Sequence, residues 1–134
     1  MAENLVQYLA QNQVEGVVEE VRIGGRLKEF TFKVKPINQS QFNHYQRIAT
    51  TIGKKGQATK FDNGKFNELV IINHVVEPNF RSTEVLATVD AKTPEEYINK
   101  VFLAGEIVQL GEQISEISGF GTTDEELEIE VKNS

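Results

Sequence analysis

Val17-Val18-Glu19-Glu20-Val21-Arg22-Ile23-Gly24-Gly25-Arg26-Leu27-Lys28-Glu29-Phe30-Thr31-Phe32-Lys33-Val34-Lys35-Pro36 is the stretch that sets the fold class. Residues 17–23 and 27–35 read as strands on either side of a glycine pair, and Gly24-Gly25 allows the positive φ angles of a two-residue turn. In the second strand Phe30, Phe32 and Val34 alternate with Glu29, Thr31, Lys33 and Lys35, giving one buried and one wet face. The first strand is less regular, because Val17, Val21 and Ile23 share a face with Glu19. Pro36 lacks an N–H and stops the ladder. The expectation is a β-hairpin over residues 17–35.

The flanking segments read as helices. Before the hairpin, Leu5, Tyr8 and Leu9 have helical spacing and predict a short amphipathic helix over 3–12, closed by Gly16. After it, Phe42, Tyr45, Ile48, Ala49 and Ile52 form a stripe over 39–52, with Asn38 and Gln41 as a capping box. Gly53-Lys54-Lys55-Gly56-Gln57-Ala58-Thr59-Lys60 then predicts a mobile, exposed loop. Asp62 or Asn63 caps the next segment, which runs through Phe66, Leu69, Val70, Asn73 and Val76. Its core, Leu69-Val70-Ile71-Ile72, suits a buried helix or a buried strand; a length of about 12 residues favours a helix, ended by Pro78.

Thr93-Pro94-Glu95-Glu96 is a full helix start, with a capping hydroxyl, proline at the first helical position and a carboxylate at the third. Tyr97, Ile98, Val101 and Phe102 follow, and Ala104-Gly105 loosens the chain. A last helix presents Ile107, Leu110, Ile114 and Ile117, with Gly119 at its C-cap and Phe120 folding back. The reading is an α+β fold: an N-terminal β-hairpin packed with a mostly α-helical remainder. Residues 1–120 form a single domain, and 121–134 an acidic tail in which Leu127, Ile129 and Val131 alternate with glutamates.

A chain of 134 residues is of one-domain length and can hold a core without staples. It has no cysteine, which excludes disulfides, thiolate metal sites and a cysteine nucleophile, and suits a reducing compartment. No export leader and no apolar run near 20 residues is visible, so the chain reads as soluble and unexported. The net charge of −6 argues against a uniformly basic nucleic-acid binder, but it divides sharply along the chain. Residues 1–21 carry four acids and no base; 22–65 carry ten bases and two acids; 66–134 carry four bases and fourteen acids. A basic middle in an acidic protein points to internal or partner electrostatics.

Catalytic patterns are not found. His44 and His74 stand 30 positions apart in no ligand motif, and read as a surface and a helix-packed histidine. Gly53-Lys54 and Gly64-Lys65 lack the order of a phosphate loop, and the paired glutamates suit solvated faces or caps. The chain therefore reads as a non-enzyme without cofactor. Phe30, Phe32, Phe42, Tyr45, Phe61 and Phe66 lie among the cations of 22–65, which raises an alternative: a single-strand nucleic-acid platform of stacking rings and phosphate-neutralising bases. The strand phenylalanines share one face while the strand lysines share the other, so core packing is the stronger reading and nucleic acid the weaker partner.

Several phrases resemble one family. Asn4-Leu5-Val6-Gln7-Tyr8-Leu9-Ala10-Gln11-Asn12 is similar to the leading helix of XkdN-like phage tail assembly chaperones. Phe30-Thr31-Phe32-Lys33-Val34-Lys35-Pro36-Ile37 resembles their strand and proline step, and Phe66 to Phe80 their central helix and its exit. Phe102-Leu103-Ala104-Gly105-Glu106-Ile107, continuing to Ser118-Gly119-Phe120, resembles their Leu-x-Gly-Glu helix and its Gly-Phe ending. Asn79 and the Gly-Thr-Thr before the tail depart from the pattern.

The resemblance implies a chaperone that binds the tape-measure protein, keeps it soluble and helps recruit major tail-tube subunits. It would act in the host cytoplasm, apart from the mature virion. Partner contacts are then expected on Phe42 and Tyr45, on Ile107, Leu110 and Ile114, on Lys54 and Lys55, and on Asp124, Glu125 and Glu126 of the tail. Self-association is left open. Such loci often add a longer product by −1 frameshifting, and Val131-Lys132-Asn133 can be encoded with the slippery heptamer A-AAA-AAC, so a longer form of the chain is a further candidate partner.

Overall fold

The computed structural model describes residues 2–56 and 59–120. Its elements are α1 (Ala2–Gln11), β1 (Glu19–Val21), β2 (Phe32–Val34), α2 (Gln39–Ala49), β3 (Thr50–Thr51), β4 (Lys60–Phe61), α3 (Asn63–His74), β5 (Val75–Glu77), α4 (Thr83–Ala87), α5 (Pro94–Val101) and α6 (Ala104–Ser115). The fold is α+β: helices packed on small antiparallel sheets.

The 17–35 segment pairs as expected only at its ends. Glu19 faces Val34, Glu20 faces Lys33 and Val21 faces Phe32, so β1 and β2 are antiparallel. Between them residues 22–31 form a long connection, not a two-residue turn. Gly25 has φ +73° and opens a 3-10 turn over Gly25–Leu27, whereas Gly24 stays extended at φ −84°. Long-range bonds hold this connection open. The Gly24 N–H donates to Gln109 Oε1 at 2.9 Å, and Arg26 is drawn onto Glu106. Phe30, expected on the buried face, lies outside the strand and is 61% exposed. Val21, Ile23, Phe32 and Val34 do share the buried face.

A third strand, β5, completes the sheet in the order β1-β2-β5. The apolar spacing places Val75 and Val76 at the end of the preceding helix, but here they belong to a strand. That helix is real, with Asp62 Oδ1 accepting from the Lys65 N–H at 3.0 Å, but it ends at His74. The backbone there turns to pair with β2, and the Lys35 N–H donates to the His74 carbonyl at 2.9 Å. Val75 and Val76 are β-branched and suit this extended pairing. The helix-or-strand ambiguity over 66–76 thus resolves into both, in sequence.

The Asn38–Gln41 capping box of α2 and the Thr93 cap of α5 form as expected. By contrast α2 stops at Ala49, so Ile52 lies beyond it at 83% exposure, while Ile48, within the helix, is 46% exposed. Strands β3 and β4 form a two-stranded antiparallel ribbon, in which Thr50 pairs with Phe61 and Thr51 with Lys60. Ala104 and Gly105 make the first turn of α6 and do not interrupt it. After α6 the chain widens into a π-helical turn, Glu116–Phe120, kinked at Gly119, which takes φ +99°. Ser118 ties this turn to the sheet side: its Oγ accepts from the Ile37 N–H at 2.8 Å and donates to the Ile114 carbonyl at 2.6 Å.

One core runs through these elements. Phe80, Ile71, Ile98, Leu110, Ile114, His74, Val34 and Val70 are its largest fully buried side chains. Helix α1 stands apart: Leu5, Val6, Tyr8 and Leu9 are 57%, 64%, 62% and 57% exposed.

Candidate protein-binding surface

The caps of α2 and α3 and the turn after α6 bring four phenylalanines into a row. Phe61 packs on Phe66 with ring centroids 5.6 Å apart, Phe66 on Phe42 at 5.6 Å, and Phe42 on Phe120 at 5.2 Å. The inner two rings are half-buried, while the outer two, Phe61 and Phe120, are 45% and 57% exposed. Phe120 folds back because Gly119 supplies the left-handed residue that a side chain would strain.

The row borders a groove between α3 and α6. One depression of about 500 Å³ is lined by Asn63, Asn67, Val108, Gly111, Glu112 and Phe120, among others. An adjoining one of about 440 Å³ shares Asn63, Asn67 and Val108, and adds Ile107. Gly111 sets how closely the two helices approach. A Cβ placed there would sit 2.6 Å from Asn67 Oδ1 and 3.1 Å from its Cγ. Val108 is 47% exposed on the groove wall.

The candidate residues fall into distinct environments. Phe42 is half-buried in the aromatic row, and Ile107 is half-buried on the groove wall. Tyr45, Leu110 and Ile114 point into the core, at 6%, 0% and 0% exposure. Lys54 and Lys55 are exposed between β3 and β4. Asp124, Glu125 and Glu126 lie outside the described residues.

The burial of Tyr45 serves a polar pair. Its hydroxyl lies 2.8 Å from His74 Nε2, and His74 Nδ1 lies 3.0 Å from the Lys35 carbonyl. A carbonyl only accepts, so Nδ1 carries the proton and Nε2 accepts from the tyrosine. Burial lowers the His74 pKa below 6.5 and raises that of Tyr45 above 10.0, so both stay neutral near pH 7.

A second polar anchor joins the β1–β2 connection to α6. Arg26 Nε donates to Glu106 Oε2 at 2.7 Å and Nη2 to Oε1 at 2.8 Å, while Nη2 also reaches the Val101 carbonyl at 2.7 Å. Glu106 Oε1 accepts from the Leu103 N–H at 2.8 Å, which caps the first turn of α6. The Arg26 guanidinium holds the buried Glu106 carboxyl below the usual carboxylate range. Glu106 stands in the Leu-x-Gly-Glu phrase of the sequence, but nothing there pairs it with Arg26. The available signal was a glutamate three residues after a helix-cap position, in Leu103-Ala104-Gly105-Glu106.

Beside this anchor lies a third concavity of about 310 Å³. It is walled by Leu27, Phe30, Phe32, Phe80, Tyr97 and Phe102, with Arg26 at its edge. Phe80 packs edge-on against Phe102 at 5.8 Å and tilted on Tyr97 at 5.6 Å.

The bases of 22–65 do not line one track. Arg26 is engaged by Glu106, Lys33 by Glu77 and Lys65 by Glu68. Phe32 is buried, and Phe42 and Phe66 stack on each other. Of the six rings in this segment Tyr45 is buried as well and Phe42 and Phe66 are half-buried, which leaves Phe30 and Phe61 as its exposed rings.

An aromatic row, a helix–helix groove and an aromatic concavity thus sit on one small α+β scaffold. Its family follows from the sequence match: residues 5–132 fit the model of the phage XkdN-like tail assembly chaperone protein, and the chain belongs to that family. The fold is similar to the crystal structure of the protein yqbn, a structural-genomics target, at TM-score 0.55 and 22% identity over 77% of this chain and 87% of that one. No curated protein matches by sequence.

Proposed function

We propose that this tail assembly chaperone binds helical segments of the tape-measure protein along the α3/α6 groove and the Phe61–Phe66–Phe42–Phe120 row, keeping them soluble until tube subunits assemble. The supporting observation is that row: two of its four rings stay largely in water although a folded core lies beneath them. A partner helix could lay its i, i+3, i+4 side chains over Phe120 and Val108, in the helix-in-groove mode. Phe42 and Ile107 are the earlier candidates that belong to this surface. Tyr45, Leu110 and Ile114 support it from beneath.

Residues 1–120 act as the folded unit in this reading. The tail, net −4 over 121–134, keeps the complex dispersed or engages the exposed Lys54 and Lys55. The chaperone works in the host cytoplasm, is left out of the virion, and hands the tape measure to major tail-tube subunits. A longer frameshifted form of the chain would serve as a second partner at that step.

Co-expression with the tape-measure protein provides the test. The chaperone should raise the soluble fraction of that protein several-fold, and Val108→Glu with Phe120→Ser should remove the gain. No gain from the unaltered chaperone would sink the assignment. A gain that survives the double substitution would sink the surface.

A further inference from the structure

Between Pro36 and Phe61 the chain carries Arg47, Lys54, Lys55 and Lys60 and no acid. All four bases are exposed, and among the described residues none of them is in an ion pair. Asp62, the next acid along, is engaged as the cap of α3 by the Lys65 N–H. The fold keeps these bases on neighbouring elements. Pairing of β3 with β4 sets Lys60 beside Thr51, and Lys54 and Lys55 lie in the segment that joins the two strands. Arg47, at the end of α2, and Ile52, just beyond β3, line one shallow depression of about 570 Å³ with Asn43, Gln46 and Thr50. Ile48, Ile52 and Phe61 stand among the bases at 46%, 83% and 45% exposure.

The matching charge is in the same chain. Residues 121–134 hold Asp124, Glu125, Glu126, Glu128 and Glu130 against Lys132, a net of −4, where 36–61 has a net of +4. An extended chain would put Leu127, Ile129 and Val131 on one side and Glu126, Glu128 and Glu130 on the other. The point of departure favours this face as well. The tail leaves from Phe120, whose ring packs on Phe42 of α2 at 5.2 Å, and two further ring contacts of 5.6 Å lead to Phe61 of β4. Fourteen residues reach about 45 Å when extended, ample for that path. On the other side of Phe120 the depression between α3 and α6 is lined by Glu112 and Glu116, which repel an acidic segment.

We infer that residues 121–134 dock in cis on the face made by α2 and the β3–β4 ribbon. Their carboxylates lie against Arg47, Lys54, Lys55 and Lys60, and their apolar side covers Ile48, Ile52 and Phe61. Tethering gives the tail an effective concentration on the order of millimolar, so its own face is taken before that of a second copy. This makes definite the second of the two roles given to the tail above, and it needs no tape-measure partner.

The absence of cysteine makes the test direct. Full-length Ile52→Cys/Ile129→Cys is treated with a short thiol–thiol crosslinker beside Val108→Cys/Ile129→Cys. Val108 is 47% exposed and lines the same depression as Phe120, so the tether alone can reach it. Each rate is normalised to the reaction of the same cysteine with a monofunctional maleimide. The Ile52 pair should close an internal crosslink several-fold faster than the Val108 pair, at the monomer mass. Lys54→Glu with Lys55→Glu and Lys60→Glu should bring the two rates together. Those three side chains are exposed, so the variant should keep its circular dichroism and melting temperature. Equal rates without the reversals, or a bias that survives them, overturn the inference. A product near twice 15.1 kDa in place of the internal crosslink gives the face to the tail of a second copy. Salt-sensitive binding of a labelled single strand to the unaltered chain gives it to nucleic acid. Either result overturns docking in cis. No readout involves the tape-measure protein, so failure here leaves the α3/α6 surface to its own test.

Discussion

Arg26 and Glu106, 80 positions apart in sequence, meet in two parallel hydrogen bonds of 2.7 and 2.8 Å. The pair fixes the β1–β2 connection against the start of α6, and so sets one wall of the aromatic cleft. Bidentate geometry specifies orientation as well as attraction, which a lysine in place of Arg26 would not supply.

Glu106→Gln should therefore lower the melting temperature by about 3–6 °C. The pH dependence has a definite sign. The folded carboxyl titrates below its ordinary value of 4.5, chiefly through the hydrogen bond from Arg26. Its contribution is complete above about pH 4.5 and is lost as pH falls through the folded value. Denaturant titrations should show the difference between the native chain and Glu106→Gln shrinking below that pH. A difference that stays constant down to pH 3 would contradict the pairing.

His74 works in a higher window. Burial lowers its folded pKa, so between that value and the ordinary 6.5 the unfolded chain binds the extra proton. Stability is then complete above pH 6.5 and declines as pH falls below it. His74→Gln should flatten this part of the profile. Tyr45→Phe leaves His74 Nε2 without its donor, and should cost about 1–3 kcal/mol at pH 7 in chemical denaturation.

The candidate stripes separate by burial. Ile114→Ala and Leu110→Ala, at fully buried positions, should each cost about 2–5 kcal/mol. Val108→Ala and Phe120→Ser should stay within about 1 kcal/mol, while reducing tape-measure solubilisation. Equal stability losses at both sets would mean that the row and groove are only the edge of the core.

Gly111→Ala tests the groove without touching its apolar wall. Helix propensity favours alanine by about 1 kcal/mol. The new methyl must displace the Asn67 amide, however, which stands 2.6 Å from its position. Stability should change by no more than about 1 kcal/mol, and partner capture should fall as the amide is pushed into the groove. Adding Asn67→Ala should restore capture; if it does not, Gly111 does not control the groove.

Local signals in the sequence were strong where a few neighbours decide the backbone. The Asn38–Gln41 box, the Asp62 cap, the Thr93-Pro94 start and the Gly119 turn all form within one helical turn, so their residues carry the whole instruction. The period-two pattern of Phe32 and Val34 likewise marked the buried face. Phe30 continued that pattern but left the strand, because Gln109 and Glu106 hold the preceding turn from another part of the chain. Val75–Glu77 looked like the end of a helix, because only the presence of β2 makes it a strand.

For the surface, periodicity found Phe42 and Ile107 but could not rank them against Tyr45, Leu110 and Ile114. A stripe tells which residues share a face and not how deeply that face is covered.

The sequence by itself determined the α+β class, the helix starts, the alternation of β2, the −4/+8/−10 charge division and the family. These depend on residue types and short spacings that local sterics and hydrogen bonding translate directly. Tertiary structure alone decided that 22–31 is a pinned connection and that His74 hides behind Tyr45. It also decided that four phenylalanines from three parts of the chain line up in one row. Each of those depends on contacts between distant residues, which exist only once the helices have packed.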